Sequence, residues 1–129
     1  MSPHLSNKIE NQRRLCIQKD LNELNFWIYT LEAFNNELDA FSVLEKQLIK
    51  NTSIINLIKA LRRKNVLSMA TFCKYNQELN KEFEYGNLEY NTPRTKMHEK
   101  KREQYMLLVQ EYNAFKMHIY KLLMKYKRK

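Results

Sequence analysis

The sequence predicts an all-α protein, an elongated antiparallel up-down-up three-helix bundle with coiled-coil-like seams. With 1 Gly and 2 Pro, the chain has too few residues suited to the tight turns of an all-β fold, and 29% of its residues are charged. Apolar residues recur at steps of three and four along three long stretches, which is the spacing of one face of an α-helix. Because only short segments connect these stretches, consecutive helices are expected to run antiparallel. At 129 residues, the chain is expected to form one domain, residues 1–129.

The first helix is expected from about residue 3 to about residue 50. Ser2 and Pro3 supply a cap and a first-turn proline. Trp27 lies beside the apolar stripe of this helix, so that turn is apolar over a wide arc and is expected to contact two neighbours. The sequence leaves open whether the helix is continuous across Asn35-Asn36. The stripe consists of Ile17, Leu21, Leu24, Ile28, Leu31, Phe34, Leu38, Phe41, Leu44 and Leu48.

The second helix is expected at about 53–85. Asn51-Thr52-Ser53 ends the first helix and caps the second. A basic interruption at residues 62–65 is either one exposed face or a local irregularity. Gly86, the only glycine, is placed where a left-handed residue would end the helix.

The third helix is expected at about 93–127, because Thr92-Pro93 repeats the cap-plus-proline pattern. Extended backwards, its seam passes through Lys101 and His98, so His98 is interpreted as a buried or rim polar residue that fixes register. This helix has the most regular seam of the chain. Its members are Tyr105, Leu108, Tyr112, Phe115, Ile119, Leu122 and Tyr126.

The residues capable of chemistry do not form a recognisable catalytic or metal-binding motif. No Glu stands three residues before His4, His98 or His118, as a di-metal helical bundle would require. Cys16 and Cys73 lack metal-ligand spacing and are interpreted as small apolar fillers. We therefore expect no enzyme activity, no metal and no cofactor.

The acidic residues are interpreted as solvated faces that complement Lys and Arg on neighbouring turns. The alternative is an enzyme built on paired carboxylates. Those on the first helix are Glu23, Glu32, Glu37, Asp39 and Glu45.

The net charge of +9 is concentrated in the last helix, where residues 94–129 carry eleven Lys and Arg against three Glu, a net +8. Phosphate backbones attract such charge, so nucleic-acid binding is the alternative function. Cations near a helix C-terminus also complement the helix dipole without any ligand. The candidate nucleic-acid-binding residues are Arg94, Lys96, Lys100, Lys101, Arg102, Lys121, Lys125, Lys127 and Arg128.

The leading functional prediction is a non-enzymatic protein that acts through self-association, most simply as a homodimer, or by docking another protein. The first helix is longer than the other two, so its first dozen residues should overhang the bundle. Leu5 and Ile9 on this overhang are the candidate self-association residues.

No apolar run approaches the roughly 18 residues that would span a bilayer. The first residues also lack an apolar signal-peptide region. We expect no membrane span and a cytoplasmic location.

The chain resembles small helical proteins of unknown function found in Bacteroidetes. The resemblance rests on Leu24-Asn25-Phe26-Trp27, the segment from Leu31 to Leu38, the Lys50-Asn51-Thr52 turn, and a third helix that holds His98, Met106, Tyr112 and Phe115. It implies a helical bundle in a bacterial cytosol. It implies no activity, cofactor or site residue.

Overall fold

A computed structural model of the chain describes residues 3–86 and 90–125, with side chains described in 7–86 and 90–125. Helix α1 spans Pro3–Leu44 and continues into a π-helical segment, Glu45–Ile49. Helix α2 spans Thr52–Tyr85, and helix α3 spans Thr92–Met124. The predicted all-α class is confirmed, since the described residues contain three long helices and no strand. Within them, no helix combines the length and the apolar character needed to cross a bilayer.

Helices α1 and α2 run antiparallel. Near one end, the guanidinium of Arg13 in α1 donates to the backbone carbonyl of Glu82 in α2. Further along, the amide of Asn65 in α2 donates to the backbone carbonyl of Leu31 in α1, at 2.8 Å. Rising residue numbers in α1 therefore meet falling numbers in α2.

Helix α3 runs parallel to α1. Arg102 pairs with Glu23, and Lys116 pairs with Glu37, so both series of numbers rise together. The up-down-up arrangement is thus as predicted.

Two apolar clusters fill the bundle, and Trp27 lies in the first. Its indole packs on Phe72 of α2, with ring centroids 5.4 Å apart, and on Tyr105 of α3, at 5.3 Å. The expected contact of this turn with two neighbouring helices is confirmed. The first cluster holds Ile17, Leu21, Leu24, Trp27, Leu31, Phe72, Tyr75, Leu79, Tyr105 and Leu108. The second holds Leu38, Phe41, Ile54, Ile58, Leu61, Tyr112, Phe115 and Ile119.

The first helix is continuous across Asn35-Asn36, but its last turn differs from the expected α-helix to residue 50. Lys50 adopts a left-handed conformation with φ 50°, and its N–H donates to the carbonyl of Glu45 at 2.7 Å. The carboxylate of Glu45 is buried and accepts the N–H of Asn51 at 3.2 Å. The wider π-turn thus provides hydrogen-bond partners for a backbone carbonyl at the end of the first helix and for the first N–H groups of the following connection.

Asn51 is the N-cap of α2, and its side chain accepts the N–H of Ser53 at 2.9 Å. The basic interruption at residues 62–65 does not break the helix. Instead, Asn65 turns into the core and is 2% exposed, whereas Arg63 and Lys64 are exposed.

The expected left-handed conformation of Gly86 is wrong. Its φ of −73° and ψ of 153° are extended, and its N–H donates to the carbonyl of Glu82 at 3.1 Å. A Cβ on Gly86 would lie 2.6 Å from that same carbonyl oxygen. The position therefore requires glycine because the backbone approaches Glu82 closely.

Helix α3 is capped one residue earlier than the Thr92-Pro93 pattern predicts. Asn91 is the N-cap, and its side chain accepts the N–H of Arg94 at 3.3 Å, which leaves Pro93 in the first turn. The helix ends at Met124. Tyr126 and the expected end near residue 127 lie outside the described residues.

Candidate functional site

Polar side chains from all three helices surround His98 inside the bundle. Helix α1 contributes Asp20 and Glu23, which share a face because they are three residues apart. Helix α2 contributes Tyr75. We call this group the His98 cluster, and its members are Asp20, Glu23, Tyr75, Tyr90, His98 and Arg102.

The imidazole of His98 is 2% exposed and is held on both ring nitrogens. Its Nδ1 lies 2.7 Å from the hydroxyl of Tyr75, and its Nε2 lies 2.7 Å from Oε1 of Glu23. Oδ1 of Asp20 lies 3.5 Å from the same Nε2. The ring also stacks on Trp27, with centroids 5.2 Å apart. These contacts fix the orientation of the ring.

The two carboxylates are oriented by different partners. Tyr90 donates its hydroxyl to Oδ2 of Asp20. Arg102 donates from Nε to Oε2 of Glu23 at 2.6 Å and from Nη2 to Oε1 at 2.8 Å. Hydrogen bonds from Arg102, and to a smaller extent from His98, lower the pKa of Glu23 to about 2. Glu23 is therefore ionised over the whole physiological range.

The two tyrosines of the cluster stay protonated. Burial, with a contribution from the charge of Asp20, raises the pKa of Tyr75 well above its ordinary value. Burial and the hydrogen bond to Asp20 do the same for Tyr90. Both hydroxyls thus remain available as donors.

Two cavities flank the cluster. One of about 560 Å³ is lined by Asp20, Tyr75 and Tyr90 together with Arg94 and the end of α2. On the other side, a cavity of about 210 Å³ is bordered by Asp20 and His98. Single donor atoms of Asp20, Glu23 and His98 all lie within 4.8 Å of one another, so these three residues could hold a metal ion.

The candidate nucleic-acid-binding cations do not form one patch. Arg94 pairs with Glu82 at 2.6 Å and Arg102 pairs with Glu23, while the Nζ of Lys101 lies 5.8 Å from the ring centroid of Tyr75. These three side chains are engaged within the bundle. Lys127 and Arg128 lie outside the described residues. Of the described candidates, Lys96, Lys100, Lys121 and Lys125 are exposed, and Arg102 is exposed although it pairs with Glu23.

The candidate self-association residues lie near the start of α1. Ile9 is half-buried, and the side chain of Leu5 lies outside the described part of the chain. Arg13 contacts the last turn of α2, so the ten residues of α1 before it, nearly three turns, lie at and beyond that end.

Helix α1 carries a second row of side chains, directed away from the core. Its nine positions follow one another at alternating steps of four and three, over about four heptads, and all nine are exposed. Six of the nine are apolar, including Leu15, Phe26 and Tyr29, which are 71%, 62% and 69% exposed. We call this set the outer row of α1. Its members are Leu15, Lys19, Asn22, Phe26, Tyr29, Ala33, Asn36, Ala40 and Val43.

The described residues thus define a three-helix bundle with a buried ionisable cluster and an apolar row on its outside. Comparisons with protein-family models, curated proteins and solved structures return no match for this chain.

Sequence reasoning predicted a buried or rim position for His98, which is buried, but missed the partners of His98 and the outer row of α1. Glu23 is interpreted from the sequence as part of a solvated face, but it bonds to His98 and Arg102. The signal is present in Asp20 and Glu23, which lie on either side of the core residue Leu21. Nothing in the sequence places Glu23 beside a histidine 75 residues away. Cys73 is exposed, so its interpretation as a core filler is wrong, whereas Cys16 is half-buried.

Proposed function

We propose that this protein acts by self-association, with two copies joined in an antiparallel, two-fold arrangement through the outer row of α1. The observation that carries the proposal is the fully exposed heptad pattern of that row. Apolar heptads sustained over about three or four repeats are typical of a coiled-coil contact. The apolar stripe of α1 is already packed against α2 and α3, and within the described residues nothing covers the outer row, which leaves it available to a second molecule.

The outward faces of the other helices fit such a contact less well. On α2 the exposed Leu67 is surrounded by basic residues. On α3 the exposed Met106, Met117, Tyr120 and Met124 share one face with polar residues, but this row covers only about two and a half heptads, against about four in the outer row of α1. The outward residues of α2 include Arg63, Leu67, Ala70, Lys74 and Lys81. Those of the α3 row are Met106, Gln110, Asn113, Met117, Tyr120 and Met124.

The distribution of side-chain size along the outer row favours a second copy as the occupant. The large residues Phe26 and Tyr29 lie in its first half or at its centre, and the small residues Ala33 and Ala40 lie in its second half. An antiparallel copy, with Tyr29 near the two-fold axis, places Phe26 opposite Ala33. Interdigitation of this kind gives close packing.

Charge also favours contact at this face. A molecule with net charge +9 repels its copies, and the repulsion is smallest where exposed cations are fewest. Lys19 is the one charged residue among the nine positions of the row. The antiparallel arrangement brings it near Asp39 of the second copy, whose side chain is 70% exposed and pairs with Arg62 of its own chain at 2.8 Å.

Sedimentation velocity over a concentration series tests the proposal. We expect a mass of twice 15.8 kDa for the wild type and a monomer for Phe26→Glu, because the carboxylate would be buried at the contact. Leu67→Glu is the matched control, since Leu67 and Phe26 are both 62% exposed, and this variant should remain a dimer. A wild type that stays monomeric at high micromolar concentration would exclude the second copy and leave a different protein as the occupant. Equal effects of the two substitutions would place the contact elsewhere.

Nucleic-acid binding is a second candidate, favoured by one observation. Lys96 and Lys121 are separated by 25 residues, about seven helical turns, so they lie on the same side of α3. Lys100 and Lys125 each follow one turn later, and all four side chains are exposed. The four cations therefore form two pairs along one side of the bundle, where a phosphate backbone could contact both.

Fluorescence anisotropy with a labelled mixed-sequence duplex, over a salt series, tests this candidate. Changing the four lysines to Gln should lower the slope of log K against log salt by roughly 3 to 4. The control changes four exposed lysines elsewhere to Gln, with the same loss of charge, and should alter the slope less. Equal slopes for the two variants would show attraction to net charge alone. The control lysines are Lys46, Lys59, Lys74 and Lys81.

A further inference from the structure

The donor atoms of the His98 cluster are already spaced nearly as metal ligands are. Nε2 of His98 lies 2.7 Å from Oε1 of Glu23 and 3.5 Å from Oδ1 of Asp20. A zinc ion binds imidazole nitrogen and carboxylate oxygen at about 2.0–2.2 Å, so its ligand atoms lie roughly 3 Å or slightly more from one another. We propose that Asp20, Glu23 and His98 bind a single divalent transition-metal ion of the Zn²⁺ type, between α1 and α3.

The contacts behind these donor atoms support the assignment. A histidine that binds a metal through one nitrogen usually donates its other N–H to a fixed acceptor. The hydroxyl of Tyr75 lies 2.7 Å from Nδ1 of His98, and its oxygen can accept that N–H once the metal occupies Nε2. Tyr90 holds Oδ2 of Asp20 and thereby leaves Oδ1 directed at His98. The ligands are therefore oriented before any ion binds.

Space beside the ligands allows the ion to complete its coordination. The cavity of about 210 Å³ borders both Asp20 and His98 and opens to solvent. Three protein ligands plus water is the arrangement of exchangeable zinc sites, whereas structural sites are closed by four protein ligands. Cys16 and Glu99 line the same cavity, and either could approach the ion from its open side.

Arg102 is the internal competitor for this site. It donates two hydrogen bonds to Glu23, including one to Oε1, the oxygen assigned to the metal. The cluster holds two carboxyl groups, those of Asp20 and Glu23, against one guanidinium, a set that suits a bound cation. Removing the Arg102 charge should therefore strengthen metal binding. If the cluster were only a structural ion-pair network, the same change would weaken it.

Trp27 supplies a built-in probe, because its indole is stacked on His98 and is the only tryptophan of the chain. Co²⁺, which adopts zinc-like coordination, is paramagnetic and quenches indole fluorescence at short range. We expect Co²⁺ to quench the chelator-treated wild-type protein saturably and Zn²⁺ to reverse the quenching by competition. Asp20→Asn and His98→Gln should each weaken the effect at least tenfold.

Two further variants separate this site from adventitious binding. His118→Gln removes an exposed histidine of the same helix and should leave the titration unchanged. Arg102→Gln should shift the titration to lower Co²⁺ concentration. Quenching that survives in both Asp20→Asn and His98→Gln, or a weaker response in Arg102→Gln, would overturn the proposal.

The wild-type protein provides an independent test should the variants fail to fold. Nitrogen-15 spectra of the histidine side chains should show Zn²⁺ shifting Nε2 of His98 while His118 stays unchanged. An unchanged His98 resonance at millimolar Zn²⁺ would overturn the assignment.

Discussion

The side-chain amide of Asn65 in α2 donates a 2.8 Å hydrogen bond to the backbone carbonyl of Leu31 in α1. The same amide lies 2.6 Å from Oδ1 of Asn35, whose own amide contacts the sulfur of Met69 at 3.5 Å. These bonds join α1 and α2 near the middle of both helices, in an otherwise apolar interface. A buried asparagine at a seam position is known to fix the register of paired helices.

Replacing Asn65 by Ala should therefore destabilise the fold by about 1–3 kcal/mol, through the lost hydrogen bonds and the small cavity. Urea denaturation followed by circular dichroism measures the change. Asn80→Ala, at an exposed position of the same helix, is the control and should stay within about 0.5 kcal/mol of wild type. Equal effects at the two positions would show that the interhelical bonds contribute nothing.

Lys50→Gly should stabilise the protein. Lys50 has φ 50°, a conformation that costs a residue with a Cβ about 1–2 kcal/mol, and part of this gain is offset by the greater flexibility of glycine in the unfolded chain. A net gain of about 0.5–1 kcal/mol should appear as a higher melting temperature. Lys46→Gly, inside the π-helical segment, should instead lower it. A loss of stability in Lys50→Gly would contradict the left-handed assignment.

Gly86→Ala should destabilise the end of α2, because the new Cβ would lie 2.6 Å from the carbonyl oxygen of Glu82. That oxygen also accepts from Arg13, so it cannot move without breaking a contact to α1. We expect a loss of about 1–3 kcal/mol in chemical denaturation, the usual cost of overpacking. Glu84→Ala, exposed in the same turn, is the control. A neutral Gly86→Ala would show that the backbone relaxes freely there.

Tyr75→Phe tests the positioning of His98 and rests on the proposed metal site. Loss of the hydroxyl removes the acceptor for Nδ1 of His98, so Co²⁺ affinity should fall about tenfold while the ion still binds. Tyr120→Phe, near the far end of the same bundle, should have no effect. Unchanged affinity in Tyr75→Phe would mean that its hydroxyl does not orient the ligand.

The spacing of apolar residues predicted the fold, because a helix that buries one face has apolar residues at every third or fourth position. Tyr105, Leu108, Tyr112, Phe115 and Ile119 are all buried, as their three-and-four spacing indicates. Local chemistry was a weaker guide at the helix ends. Glycine alone does not determine whether φ is positive, and Gly86 shows that close backbone approach can also require it.

The His98 cluster could be predicted only in part. The seam predicted a buried histidine at position 98, but its partners Glu23 and Tyr75 belong to other helices. Their meeting depends on the relative rotation and axial offset of the helices, which apolar spacing does not determine. The outer row of α1 is present in the sequence, but the sequence indicates that Phe26, Trp27 and Ile28 form one wide apolar arc in contact with two neighbours, whereas Phe26 is 62% exposed.

Disulfide trapping tests self-association through the outer row most directly. In a variant with Cys16 and Cys73 replaced by Ser, Tyr29→Cys should form an interchain disulfide under mild oxidation, because the antiparallel arrangement places position 29 beside its own copy. Leu15→Cys, at one end of the row, should not link to itself. Self-linking of Leu15→Cys as fast as Tyr29→Cys, or no faster linking at Tyr29 than in an exposed Leu67→Cys control, would contradict the account.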